Sequence, residues 1–118
     1  MALTPMKISE GELTTASDSK TVSSSWTSIV SKSLTPGVYI ITSNVKSNEV
    51  LTKFGGRLLN GSNEILASQT VESNMANTGF DLVTIVSISA NTSYYVQAYG
   101  NGSATATISA DIKAYKLE

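Results

Sequence analysis

The stretch from Leu34 to Val45, LTPGVYIITSNV, places the strongest constraint on how this chain folds. Pro36 fixes φ at the first central position of a turn, and Gly37 can adopt the positive φ that the second position of a type II turn requires. The strand that follows is apolar on both parities, since Val38 and Ile40 alternate with Tyr39 and Ile41. We therefore expect both of its faces to be covered, one by the domain core and one by a second surface.

Turn signals divide the rest of the chain into segments of strand length, spaced about every 8 to 12 residues, which is typical of a sandwich or barrel. Gly55-Gly56 predicts a bulge or a close backbone approach, and Asn60-Gly61 predicts a hairpin with a type I′ turn. No window keeps a helical period. The predicted fold is all-β, with strands over residues 21–34, 34–45, 50–59, 64–72, 80–90, 93–99 and 104–117.

The N-terminal segment is the least periodic part of the chain. Residues 1–20 are predicted to form a connector or a short edge strand, for which Met6 to Ile8 is the candidate, and residues 21–118 to form one domain. A chain of 118 residues has the length of a single domain with a single core.

The composition excludes several classes of function. The chain has no Cys and no His, so it lacks the residues of a catalytic Ser-His-Asp triad, a thiol nucleophile or a typical zinc site. Eight Lys and Arg residues are scattered singly in a chain of net charge −1, which argues against nucleic acid as a partner. No apolar run approaches the roughly 18 residues of a membrane span, so no membrane insertion is expected. We expect no cofactor and no metal.

The order of these features resembles the TNF-like jelly roll, the fold of the globular heads of complement proteins. The resemblance runs from Lys20 onward. It rests on Trp26 in a first long strand, on Pro36-Gly37-Val38-Tyr39 opening a central strand, and on the late run VSISANTSYYVQAY. This pattern of strands and turns is most like that of the small jelly-roll heads at the tips of phage fibres and receptor-binding proteins. The resemblance implies a jelly-roll β-sandwich of two antiparallel sheets. The chain departs from the family in lacking a collagen-like Gly-X-Y repeat before the head.

The resemblance also implies a homotrimer whose subunits face each other through one sheet. A monomer with a flat apolar outer face would be unusual for a soluble protein, and a trimer would cover that face. The residues placed at the trimer interface are Tyr39, Ile41, Val83, Ile85, Tyr115 and Leu117. The alternative is that a bulge resets the parity and these side chains complete the core of one subunit.

Candidate ligand-binding residues are polar loop residues and two tyrosines. Asn and Tyr side chains can hold a sugar through hydrogen bonds and ring stacking, yet Asn is also common in turns, and Tyr pairs also pack across strands. The candidates are Asn74, Asn77, Tyr95, Tyr99 and Asn101. Tyr94, Val96 and Ala98 are expected to face the core, and Trp26 is predicted to be a core residue.

Carboxylate pairs are weak candidates for catalysis in this sequence. Glu10 and Glu12 lie in the least periodic segment, and Asp81 and Asp111 fit solvated strand positions. The resulting hypothesis is a non-enzymatic trimeric head of a phage fibre, on the virion surface, which adsorbs to host saccharide. Its partners would be its own copies, the rest of the fibre and the host glycan. The alternatives are a trimerising cap or capsid decoration protein that binds no sugar, and a head of the same fold at a bacterial cell or spore surface.

Overall fold

The described part of the chain folds into eight antiparallel strands arranged as a jelly roll. The computed structural model describes residues 13–72, 78–101 and 106–117. The strands are β1 (Leu13–Thr21), β2 (Thr27–Leu34), β3 (Gly37–Ser47), β4 (Lys53–Asn60), β5 (Ile65–Val71), β6 (Thr78–Ile88), β7 (Thr92–Asn101) and β8 (Thr107–Lys116). Sheet I has the order β1-β8-β3-β6 and sheet II the order β2-β7-β4-β5. The predicted all-β jelly-roll sandwich is confirmed. Within the three ranges no helix is long and apolar enough to cross a membrane.

The core lies between the two sheets and is filled by alternate residues of each strand. On β7 the buried residues are Tyr94, Val96 and Ala98, as predicted. Phe54 of sheet II meets Phe80 of sheet I, with their ring centroids 5.0 Å apart. Burial of large apolar side chains on both inner faces is the main force that holds the sheets together, at about 25 cal/mol per Å² of apolar surface.

The first strand lies inside the segment predicted as a connector. β1 pairs with β8 over its whole length, from Leu13 opposite Tyr115 to Thr21 opposite Thr107, and forms one edge of sheet I. β1 therefore adds an edge strand of nine residues, Leu13–Thr21, to the sandwich within the segment for which a connector or a short edge strand was predicted. The predicted strand at Met6 to Ile8 lies outside the described residues.

The β4–β5 hairpin occurs where it was predicted, but its turn is different. The backbone N–H of Asn63 donates to the Asn60 carbonyl at 3.0 Å, and Asn63, with φ of 61°, is the residue in the left-handed region. The Asn60 side-chain oxygen accepts from the N–H groups of Ser62 and Glu64, both at 3.0 Å. The type I′ prediction is wrong because the Asn60 side chain stabilises a longer loop.

The parity assigned to β3 was also wrong. Tyr39 and Ile41 are 4% and 0% exposed and lie in the core, so they are not on an outer surface that could face a neighbouring subunit. The Tyr39 hydroxyl donates to the Thr35 carbonyl at 2.9 Å, which satisfies its buried oxygen. Val38 and Ile40 face outward instead. Alternation could not decide between the two sets, because both are apolar.

Candidate functional site

The outer face of sheet II carries a row of aromatic and polar side chains. Because Tyr94, Val96 and Ala98 point into the core, the intervening residues of β7, Tyr95, Gln97 and Tyr99, point outward. Gln97 is opposite Arg57 of β4 on one side and Ser28 of β2 on the other. The centre of the sheet therefore presents an arginine, an amide and a hydroxyl in one row.

Trp26 lies beside this row, in the connection between β1 and β2. Its side chain is 38% exposed, and its ring meets that of Tyr99 nearly edge to face, with centroids 4.7 Å apart and planes at 80°. The prediction of a core position for Trp26 is wrong. It assumed one continuous strand from Thr21 to Leu34, whereas β2 begins only at Thr27.

Arg57 lies between the indole and the amide. Its guanidinium carbon is 4.1 Å from the centroid of the Trp26 ring, a cation–π geometry. Arg57 Nε donates to Gln97 Oε1 at 2.9 Å, and Gln97 Nε2 donates to Ser28 Oγ at 3.3 Å. We call Trp26, Arg57, Gln97 and Tyr99 the aromatic–arginine cluster. Its members hold each other in defined orientations before any ligand arrives.

The Tyr99 ring lies directly over Gly55 of β4. A Cβ atom at Gly55 would overlap the Tyr99 ring, so only glycine lets the ring rest on the sheet. Gly55 is also opposite Tyr99 in the β4–β7 register. The close approach predicted from Gly55-Gly56 is therefore present, and it positions Tyr99 next to Trp26.

Tyr95 extends the same face toward one end of the sandwich. It lies four positions before Tyr99, about 13 Å along an extended strand. It borders an open depression of about 570 Å³ formed largely by the β4–β5 and β6–β7 turns, whose lining includes Asn60, Ser62 and Asn91. Tyr95 thus connects the cluster to a polar surface that an extended ligand could follow.

Three of the five predicted ligand residues lie in the described part of the structure, and two lie outside it. Tyr95 and Tyr99 lie on one outer face, and Asn101, exposed at the end of β7, follows on the same parity. The Asn101 carbonyl accepts from Thr52 N at 2.7 Å and from Thr52 Oγ1 at 2.8 Å. Asn74 and Asn77 lie outside the described residues.

The outer face of sheet I is different in character, because one half of it is apolar. Leu13, Tyr115, Ile40 and Ile85 are direct cross-strand partners in a line across all four strands, and we call them the apolar row. Ile85 is 66% exposed, and Val83, two residues before it on β6, is 57% exposed. Leu117 donates its N–H to the Val38 carbonyl at 2.7 Å at the margin of the row. Four of the six predicted interface residues, Val83, Ile85, Tyr115 and Leu117, are thus on or beside this face.

The other half of that face is polar. Asn44 Nδ2 donates to Asp81 Oδ1 at 2.9 Å, and its backbone N–H donates to Asp111 Oδ1 at 2.8 Å. Both carboxylates therefore act as cross-strand acceptors, which fits the solvated strand positions expected for them. Among the described residues no three acidic side chains are grouped closely enough to hold a metal ion.

The Tyr94 side chain is buried on the core side of β7. Burial raises the pKa of its phenol, and the neighbouring Tyr39 raises it further. The phenol therefore stays protonated at neutral pH on the core side of β7, behind the cluster.

Trp26, Arg57 and Gln97 were not predicted to be members of a site. The available signals were Gly55-Gly56 two residues before a lone Arg, and a Gln between two outward tyrosines. These signals could not be combined into one site, because Trp26, the partner of Arg57, lies in the connection before β2. It is 31 positions earlier in the chain than Arg57.

Comparison with known proteins defines the class of fold and leaves the family open. No protein-family model matches the chain, and no curated protein sequence matches it. Among solved structures the chain is similar to one described with Bacillus endospore appendages, a family of disulfide-linked pili. The identity is 12%, the match covers 100% of this chain and 96% of the other, and the TM-score is 0.54.

The chain is also similar to two members of the family that the sequence resembles. The globular domain of zebrafish complement 1qA matches at 11% identity over 71% of this chain and 64% of its own, with a TM-score of 0.46. Eiger TNF from S. frugiperda matches at 11% identity over 96% and 92% of the two chains, with a TM-score of 0.36. At these identities the likenesses concern the fold alone.

Proposed function

We propose that this chain is a non-enzymatic adhesion head that binds saccharide through the outer face of sheet II. The observation that carries the proposal is the aromatic–arginine cluster, in which a partly exposed Trp26 stands beside Tyr99 and under the Arg57 guanidinium. Aromatic rings offer apolar faces to a sugar ring, while Arg57 and Gln97 offer the polar groups that fix its orientation.

The head acts as a homotrimer, with the apolar row of sheet I against neighbouring copies. Ile85 and Val83 are large apolar side chains more than half exposed, and they are contiguous with Ile40 and Tyr115 in the sheet. An interface that covers them removes this patch from water. A ring of three copies closes through heterologous contacts, so no apolar row is left free.

The two outer faces lie on opposite sides of the sandwich, so one subunit can use both at once. Three saccharide sites on one rigid trimer bind a surface polymer far more tightly than a single site does, through a raised effective concentration. This arrangement suits adsorption to a surface. We therefore assign the head to the tip of a phage fibre on the virion exterior, with host glycan and the rest of the fibre as partners.

The absence of an enzymatic role is part of the proposal. His and Cys do not occur in the sequence, and Asp81 and Asp111 lie on the outer face of sheet I, across the sandwich from the cluster. Depolymerisation of a bound polysaccharide by the purified chain would contradict this part of the account.

A glycan array tests the function directly. Purified chain is applied to bacterial capsular and cell-wall polysaccharides, beside Trp26→Ala and a control, Val50→Ala, which truncates an exposed apolar residue in the connection between β3 and β4. The expected result is binding to one group of polysaccharides that is lost with Trp26→Ala and kept with Val50→Ala. The absence of a binding signal for the wild-type chain on every polysaccharide of the array would refute saccharide binding.

A structural subunit of a bacterial surface appendage is a second candidate. It is favoured by the exposed apolar row, which suits assembly, and by the full-length likeness to the Bacillus appendage structure. This candidate would be supported over an adhesion head if the chain formed extended polymers in solution and bound no polysaccharide on the array.

A further inference from the structure

Arg57 carries a positive charge that no acidic side chain of the described residues neutralises. Its contacts are the Trp26 ring and the Gln97 amide oxygen, and its cross-strand partners are Gln97 and Ser68, both uncharged. It forms no ion pair within residues 13–72, 78–101 and 106–117. A guanidinium held without a counter-charge is suited to binding an anion from outside the chain.

The contacts of Arg57 also fix the orientation of its guanidinium. The guanidinium carbon lies over the Trp26 ring, 4.1 Å from its centroid, and the hydrogen bond from Nε to Gln97 Oε1 holds one edge of the group. Gln97 is itself held by Ser28 Oγ. Since Nε is occupied by Gln97, the terminal nitrogens are the donors available to a ligand. A planar pair of donors in a fixed position matches the two oxygens of a carboxylate or a phosphate.

The surroundings of Arg57 add the second half of a binding site. Tyr99, which lies on Gly55 and against Trp26, supplies an aromatic ring beside the indole that the guanidinium contacts. An acidic sugar has both parts that such a pair recognises, an apolar ring face and an anionic group.

We propose that the aromatic–arginine cluster selects saccharides that carry a negative charge, with Arg57 binding the anionic group and Tyr99 and Trp26 contacting the sugar ring. This inference rests on the proposed function and names its ligand class. The anionic group is a carboxylate, as in a uronic or sialic acid, or a phosphodiester, as in a phosphate-bearing cell-wall polymer.

Titration calorimetry with matched sugars tests the proposal on the full chain. Oligogalacturonate carries charged carboxylates, which its methyl ester replaces with uncharged ester groups. Sialyllactose against lactose, and poly(glycerol phosphate), extend the comparison to other anions. The acid is expected to bind about tenfold or more tightly than its neutral counterpart, the usual scale of a charge-assisted contact. A stronger response to poly(glycerol phosphate) than to both carboxylates would identify phosphate as the source of the charge.

Two variants separate the role of Arg57 from the overall charge of the protein. Arg57→Gln is expected to abolish the preference for the acid, whereas Lys46→Gln, which removes one positive charge from the outer face of sheet I, is expected to keep it. Because Arg57→Gln also removes the contacts of Arg57 with Trp26 and Gln97, salt provides a second test with the wild-type protein. Raising NaCl from 50 to 500 mM should weaken binding of the acid and leave the ester unchanged, at Debye lengths of about 14 and 4 Å.

The outcomes distinguish this inference from the proposed function. Equal binding of acid and neutral counterpart, dependent on Trp26, would overturn the anion preference and leave saccharide binding in place. A preference for the acid that persists in Arg57→Gln would overturn the assignment to Arg57. Failure of every sugar to bind would overturn both.

Discussion

The guanidinium carbon of Arg57 lies 4.1 Å from the centroid of the Trp26 ring, and so joins the middle of sheet II to the connection that precedes β2. This contact pairs a half-buried cation with a partly exposed indole, and the Gln97 amide orders the same guanidinium from the other side. The contact fixes both side chains in the positions from which we infer ligand binding.

A double-mutant cycle measures the strength of this contact. We expect Trp26→Leu and Arg57→Met to be non-additive in urea unfolding, with a coupling free energy of about 0.5 to 1 kcal/mol, the range of a partly exposed cation–π pair. Additive effects would mean that the two side chains are merely adjacent.

Gly55→Ala tests whether the position of Tyr99 matters for binding. The new methyl group overlaps the Tyr99 ring, so the ring must move, and we expect a destabilisation of about 1 to 3 kcal/mol with a loss of saccharide affinity. Gly61→Ala is the control, because a Cβ there meets only the Ser93 backbone, its carbonyl oxygen at 3.5 Å. Unchanged affinity in Gly55→Ala, measured by calorimetry on folded protein, would remove Tyr99 from the site.

Val83→Asp and Ile85→Asp test the self-association face. Both side chains are more than half exposed, so the fold should tolerate the charge, while an apolar interface should not. Light scattering coupled to gel filtration is expected to give three times the 12.4 kDa chain mass for the wild type and one chain mass for both variants.

Val50→Asp is the matched control for those two variants. Val50 is 61% exposed and lies in the connection before β4, away from the apolar row, so this variant should remain trimeric. Elution of the wild-type chain as a monomer at all concentrations would contradict the trimer. It would not bear on the proposal that the outer face of sheet II binds saccharide.

Two buried serines on β3 give opposite expectations. Ser43 and Ser47 are both fully buried; Ser43 Oγ has no hydrogen-bond partner among the described residues, whereas Ser47 Oγ donates to the Glu49 carbonyl at 2.9 Å. We expect Ser43→Ala to raise the free energy of unfolding by about 1 kcal/mol and Ser47→Ala to lower it by about 1 kcal/mol. Urea unfolding measures both, and the same sign in the two variants would refute the distinction.

The division of the chain into strands followed from the sequence because its signals are local, whereas the jelly-roll arrangement was implied by the family resemblance. Turn residues such as Asn60 and Gly61, and the alternation of Tyr94, Val96 and Ala98 with polar neighbours, are set by nearby positions in the chain. The parity of β3 did not follow, since Tyr39 and Ile40 are equally apolar and the choice depends on what the opposite sheet can accommodate.

The candidate site was harder to predict because it is built from distant residues. Tyr95 and Tyr99 were found from alternation along one strand. Trp26 joins them only because the connection before β2 leaves the core and crosses to Arg57, and this path depends on strand pairing that no local pattern encodes. A lone Arg within an apolar strand indicates an outward position at most.

Trp26 is the only tryptophan of the chain, so tryptophan fluorescence, excited at a wavelength that the five tyrosines do not absorb, reports on the aromatic–arginine cluster. The decisive measurement is its emission during titration with the polysaccharide that binds most strongly on the array. The account predicts a saturable change in emission, with protection from acrylamide quenching, and loss of both in Tyr99→Ala. Saccharide binding that leaves the emission and the quenching of Trp26 unchanged would place the site elsewhere and contradict the central claim.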